Sequence, residues 1–218
     1  MATRTVQELI DEIRDNTNNK SKTRFTDTML MRYLDSASRS IQMIIYNSYP
    51  QDAVFYDCEI ISAVSGQLLY KLPSNMLTPH SIYSIVPRRA DGTKSDPLHR
   101  LSLQEVTTEY GYVIRGKNFQ LTPGSLINLS SITEMLVNYA RKWDRITDLA
   151  DTPEIPEILE EYMTMFVERK IHYVDSSKDI MNANVFTKEE KQNMAELYAD
   201  AARDPKQIPT GSDTYISY

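Results

Sequence analysis

The stretch Asp151-Thr152-Pro153-Glu154-Ile155-Pro156-Glu157 decides how the rest of the chain is read. Pro156 suits the first position of a helix, where its missing N–H leaves no bond unmade. Behind it, residues 157–204 contain neither glycine nor proline. Both residues break helices, so a run of that length without them is helical. Leu159, Tyr162, Met163, Phe166, Tyr173 and Val174 share one face of a first helix there, and Met194, Leu197, Tyr198 and Ala201 share one face of a second. Thr187-x-x-Glu190 is a capping box that marks the start of the second. Residues 178–185 fit either that helix or a loop.

Residues 1–49 also lack both breakers. Thr5-x-x-Glu8 is a capping box, and Val6, Leu9, Ile10 and Ile13 follow with the spacing of one buried face. A polar loop spans residues 16–24. Thr26 is the N-cap of the next helix, with Phe25 and Leu30 placed as a hydrophobic staple. Leu30, Tyr33, Leu34, Ala37, Ile41, Ile44 and Ile45 keep helical phase over four turns. Burying such a stripe contributes on the order of 10 kcal/mol gross, provided another element covers it. Tyr49-Pro50 ends the helix.

Five of the six glycines lie between Gly66 and Gly124, so the middle is strands and turns. Residues 54–64 are rich in apolar and β-branched side chains. Gly66 turns the chain into Leu68-Leu69-Tyr70-Lys71-Leu72, which stops at Pro73. Ile82-Tyr83-Ser84-Ile85-Val86 is bracketed by Pro79 and Pro87. Residues 88–97 form a charged loop with an Asp91-Gly92 turn signal. Tyr112-Val113-Ile114 and Phe119-Gln120-Leu121 make a hairpin around Arg115-Gly116-Lys117-Asn118, closed by Pro123. Met135-Leu136-Val137-Asn138-Tyr139 is the last strand.

The predicted fold class is therefore α+β. An antiparallel helical bundle is built from both flanks, residues 1–50 plus 152–204, with an inserted antiparallel β lobe, residues 51–151, and an extended C-terminal tail, residues 205–218.

Composition narrows the function. Apolar residues make up 41% of the 218-residue chain, and no apolar run approaches membrane-spanning length. The N-terminus is amphipathic and carries acids, unlike a secretory signal. The single cysteine, Cys58, makes no internal disulfide and is expected as a small buried apolar residue of a strand. A net charge of −6 is opposite in sign to the basic excess of a duplex-gripping protein.

Motifs for catalysis are missing. His80, His99 and His172 stand far apart and form no ligand-spaced frame, so no metal is expected. There is no phosphate-cradling glycine motif and no serine elbow, and no cofactor is expected. Glu160, Glu161 and Glu168 read as a solvated helix face. Two basic groups remain. Arg88, Arg89, Lys94 and Arg100, with His99, lie in or beside the charged loop; Arg141, Lys142 and Arg145, with Trp143 among them, follow the last strand. They read as ordinary charged loops, or as surfaces facing DNA or an acidic partner. Fourteen tyrosines suit interfaces, where a stiff apolar ring carries a polar tip.

Taken in order, these segments resemble the head-to-tail adaptors (portal-adaptor, head-completion or tail tubular adaptor proteins) of tailed phages. The likeness runs from the N-terminal helical pair through Val64-Ser65-Gly66-Gln67-Leu68-Leu69-Tyr70-Lys71-Leu72-Pro73 and the 112–123 hairpin. It continues in Leu136-Val137-Asn138-Tyr139-Ala140-Arg141 and ends in the acid-and-proline lead-in at 151–157. It covers about residues 5–204, carried by the order and spacing of the segments. The 88–100 loop departs from the pattern and implies an elaborated lobe.

The resemblance implies a non-enzymatic structural protein of the virion neck, assembled in the host bacterial cytoplasm. It implies a dodecameric homo-oligomeric ring on the phage portal protein, a channel passing genomic DNA without specific binding, a platform for tail or nozzle proteins, and no membrane partner. By the same likeness residues 205–218 are the portal-docking arm, with Ile208, Tyr215, Ile216 and Tyr218 as its contacts. A neck stopper or receptor-binding element would share the strand lobe without needing the two flanks as one bundle. A tail-associated hydrolase would need a deep cleft with a coupled acid pair or a nucleophile–base pair.

Overall fold

Thr5 caps the first helix as its spacing requires. Its hydroxyl accepts the Glu8 N–H, and the Glu8 carboxylate reaches back to the Thr5 N–H at 2.7 Å. Helix α1 (Val6–Asn16) then buries Val6, Leu9, Ile10 and Ile13 completely. Helix α2 (Asp27–Ser48) is capped by Thr26 and ends at Tyr49. The computed structural model describes residues 4–18, 24–50, 55–102, 110–122, 124, 131–175 and 185–203. Pro123, residues 178–184 and the 205–218 arm lie outside them.

Two compact units emerge, Met1–Pro50 with Trp143–Tyr218, and Gln51–Lys142. In the first, α2 packs against α3 (Glu160–Asp175) and α4 (Lys188–Arg203), and α1 packs against α2 and α3. The two flanks thus form one helical core, and the fold is α+β as expected. Its backbone is joined across the sequence gap where Val6 and Gln7 N–H groups donate to Asp151 and Leu149 carbonyls, both at 2.9 Å. The α2 stripe is buried at Leu30, Leu34, Ala37, Ile41 and Ile45, while Tyr33 and Ile44 are half-buried. Ser38 and Gln42 complete that face, and the Gln42 Oε1 accepts the Trp143 N–H at 3.2 Å. Leu159, Met163, Phe166, Val167 and Ile171 carry the α3 side of the core. Among the described residues no helix is long and apolar enough to cross a membrane.

Glu160 corrects an expectation. It is buried and ion-paired with Arg4, because it opens α3 on the side that α1's leading segment covers. Glu161 stays exposed, and Glu168 accepts an amide hydrogen bond from Asn16 at 2.7 Å.

The second unit is a pair of sheets around one core. β1 (Tyr56–Ser62), β7 (Ile132–Ala140) and β3 (Ile82–Arg89) make an antiparallel sheet in the order β1-β7-β3. β2 (Leu69–Lys71), β6 (Asn118–Leu121), β5 (Gly111–Arg115) and β4 (His99–Arg100) make the other, in the order β2-β6-β5-β4. Tyr70, Ile85, Tyr112, Phe119, Met135, Val137 and Tyr139 fill the space between. The β5–β6 hairpin forms as read, with Gly116 at φ +60° in the first turn position, where a type II′ turn needs positive φ.

β3 runs through Pro87 instead of stopping before it. Its neighbours explain why. Arg89 N–H donates to Thr93 O, Ser95 N–H to Pro87 O and Leu98 N–H to Ile85 O, so residues 85, 87 and 89 bond outward, away from β7. The missing Pro87 N–H therefore costs no bond to the sheet. β4 pairs with β5 in parallel. A side chain at Gly111 would place its Cβ 2.3 Å from the His99 carbonyl oxygen, so only glycine permits that approach.

Candidate interaction surfaces

Along β3 and its return segment, basic residues gather by local geometry. Arg88 and Lys94 face each other in a backbone bridge. The turn between them is set by Gly92 at φ +86° and by the Asp91 carboxylate, which accepts the Thr93 N–H at 2.9 Å and its hydroxyl at 2.7 Å. Those bonds hold the Asp91 carboxyl below its ordinary pKa. Arg88 pairs with Glu134 of β7 at 3.4 Å. Arg89 and Lys94 are exposed. Arg100 is drawn elsewhere, with one guanidinium nitrogen 2.7 Å from His80 Nδ1 and another donating to the His80 carbonyl at 3.3 Å.

The second basic group is divided. Arg141 and Lys142 close the β unit, whereas Arg145 belongs to the helical one. Trp143 is not a surface member of that group. It is buried, because the α2 face with Gln42 receives it.

Cys58 departs from its expected burial and stands exposed. β1 is an edge strand whose residues alternate between the core and the outer face, and Cys58 falls on the outer one. Its thiol pKa is raised, first by desolvation and then by Asp57. The same alternation leaves Tyr56 and Ile60 exposed. Tyr56, Ile60, Val64 and Leu69 are four of the five large apolar side chains exposed among the described residues. The sequence reading missed this strip. Its signal was present in the alternation Tyr56, Cys58, Ile60 against Asp57, Glu59, but both sets look strand-like until one knows which faces the second sheet.

The outer face of the β1-β7-β3 sheet is built in rows by the strand register. Tyr56 stacks on Tyr83 with ring centroids 5.3 Å apart. Asn138 next to Cys58 donates to Ser84 Oγ at 2.8 Å. Ile60, Leu136 and Val86 form an apolar row, then Ser62, Glu134 and Arg88 a polar one. On the core side the Tyr139 hydroxyl lies 2.6 Å from Asn75 Oδ1 and 3.1 Å from Asp57 Oδ2. Burial and the Asp57 charge push its pKa well above the phenol range.

Acids elsewhere serve the backbone. In the hollow lined by residues 144–147 and 151–154, the Asp151 carboxylate accepts the Thr147 and Asp148 N–H groups, both at 2.8 Å, which lowers its pKa. Glu154 accepts the Asp144 N–H at 3.0 Å. Among the described residues no group of histidine, cysteine and carboxylate side chains is arranged to hold a metal ion. His80, His99 and His172 are each exposed.

No curated protein matches the chain. Among solved structures, a chain described as part of the neck of an empty GTA particle aligns with a TM-score of 0.32 at 12% identity, covering 89% of this chain and 91% of its own. That likeness is too slight to bear on the fold. The family model described as SU10 adaptor protein matches residues 4–212. That span takes in both helical flanks and the whole lobe, and the order of segments that resembled an adaptor is thereby accounted for: the chain belongs to the SU10 adaptor protein family.

Proposed function

We propose that this chain is a structural, non-enzymatic head-to-tail adaptor of a phage-like particle. It sits at the virion neck as a ring on the portal vertex, extends the DNA channel and offers a platform to tail or nozzle proteins. The carrying observation is the family match over residues 4–212. The architecture supports it in two ways. Segments from both flanks of the sequence close into one helical unit, and the residues between them fold as a separate lobe. The lobe carries an exposed apolar strip with charged neighbours, the makings of a protein-binding surface.

A net charge of −6 suits a channel wall, because it offers few anchors to moving phosphates. Arg88, Arg89, Lys94, Arg100, Arg141, Lys142 and Arg145 are proposed as contacts to partner proteins or to passing DNA. Residues 205–218, with Ile208, Tyr215, Ile216 and Tyr218, are proposed as the arm that docks on the portal, by adding as an extended strand. Binding of the purified chain to purified portal rings tests this, together with a reconstruction of the particle. Deleting 205–218 is expected to weaken portal binding strongly. Full binding by the truncated chain would remove the docking arm, and density for this subunit away from the neck would overturn the adaptor role.

A further inference from the structure

The β2-β6-β5-β4 sheet is an acid-free part of an acidic chain. Net charge is −6, yet no Asp or Glu occurs from residue 60 to 90 or from 110 to 133, the stretches that hold β2, β5 and β6. Strand register gathers bases at one end of this sheet. Lys71 lies opposite Asn118, and Asn118 opposite Arg115, so the three form one row across β2, β6 and β5. Directly paired residues share a face. The neighbouring row, Tyr70, Phe119 and Ile114, turns into the core, so the basic row faces out. Lys71 and Arg115 are exposed and Asn118 is half-buried. In the row beyond, Leu69, Gln120 and Val113 pass from exposed through half-buried to buried, so the face is open at its hairpin end.

Lys117 adds an exposed third charge at the hairpin tip. It shares the turn with Gly116, above which a Cβ would meet nothing within 4 Å. Its carbonyl accepts the Leu72 N–H at 3.0 Å, which ties the tip to β2 beside Lys71. Among the described residues Lys71, Arg115 and Lys117 have no ion-pair partner, unlike Arg88, which pairs with Glu134.

Such a row calls for an anionic and extended ligand. Lys71 and Arg115 stand two strand spacings apart, about 10 Å, so each reaches a separate anion. Two features favour phosphates over an acidic protein surface. Two of the three bases are lysines, a residue depleted at protein interfaces, and Leu69 is the one large apolar side chain exposed on this face among the described residues. The rings of these strands, Tyr70, Tyr112 and Phe119, are buried, so no nucleobase can stack and contact stops at the backbone.

We infer that the hairpin end of this sheet, Lys71, Arg115 and Lys117 with the Asn118 amide, binds the phosphate backbone of duplex DNA without reading its sequence. This rests on the channel reading above and names residues that touch the passing duplex. Three phosphate contacts make a weak, salt-sensitive hold that sliding DNA can leave.

The test uses the full chain and a short DNA duplex in solution, while the neck assignment is tested separately on particles. At low salt, amide NMR shifts are expected at residues 69–72 and 113–120, alike for two duplexes of unrelated sequence. Log affinity should fall against log salt with a slope of about −2.7, from three contacts at about 0.9 each. Lys71→Gln, Arg115→Gln and Lys117→Gln should each weaken binding about tenfold and make the slope shallower by about 1, with the tyrosine near-UV circular dichroism of the lobe unchanged. Lys188→Gln, at an exposed position of the helical unit, is the charge-matched control and should change binding little. No binding at low salt, shifts confined to other surfaces, or a loss in the control equal to that in the three variants overturns the inference. So does polyglutamate of equal charge, the probe for an acidic protein partner, if it binds as tightly and moves the same amides.

Discussion

Replacing Glu190 by glutamine should uncouple the start of α4 from α3 in a way that pH can read. One carboxylate serves two elements here. It accepts both Arg169 guanidinium nitrogens, at 2.8 and 2.5 Å, and it closes the α4 capping box by accepting the Thr187 N–H at 2.8 Å. Arg169 in turn donates to the Val185 carbonyl at 2.6 Å. These bonds, Arg169 first, pull the Glu190 pKa down to about 2. Against an ordinary carboxyl, that drop corresponds to about 3 kcal/mol at neutral pH. The side chains keep 33% and 21% of their surface in solvent, for Arg169 and Glu190, so screening matters. About 1–2 kcal/mol is the expected net loss in Glu190→Gln.

The sign follows from a depressed folded-state pKa. The stabilisation is complete above the unfolded carboxyl's pKa, about 4.5, and disappears as pH falls from there through about 2. Trp143 is the sole tryptophan and is buried in the helical unit, so its fluorescence reports that unit in urea. Wild type and Glu190→Gln should differ by the full amount at pH 7 and converge near pH 2. Glu189→Gln, at an exposed position one residue away, is the control. A Glu190→Gln curve that matches the control, or a gap that is the same at both pH values, would refute the reasoning.

Ile41→Ala, at a fully buried position of α2, should cost about 3–4 kcal/mol on the same fluorescence curve. Gly111→Ala forces a Cβ against the His99 carbonyl and should destabilise the lobe by about 2–3 kcal/mol, seen in tyrosine near-UV circular dichroism with the Trp143 curve little changed. Tyr139→Phe should cost about 1 kcal/mol, and an alkaline ultraviolet titration of the folded chain should count one fewer ionisation-resistant tyrosine.

Local chemistry made much of the fold legible. The capping boxes at Thr5 and Thr187 and the Gly116 hairpin involve neighbours in sequence, so their residue types suffice to place them. The two breaker-free flanks, with their apolar stripes, also required an outside partner, which made one shared core the simplest arrangement. Burial of polar groups was less legible. Glu160 looked like a solvated acid until Arg4 was seen to reach it.

The candidate surface was the least legible of all. Residues 56–62 declare a strand by composition, but a strand has two faces and two edges, and nothing within seven residues says which will be covered. The partners of β1 arrive from β7, some eighty residues on, and the sheet that covers one face is assembled from four other strands. By itself the sequence determined the helices of both flanks, the 112–121 hairpin and the cores of the longer strands, because caps, breakers and periodicity act over a few residues. Only the tertiary structure decided that Cys58 and Ile60 stand exposed on β1, because exposure is settled by elements distant in sequence.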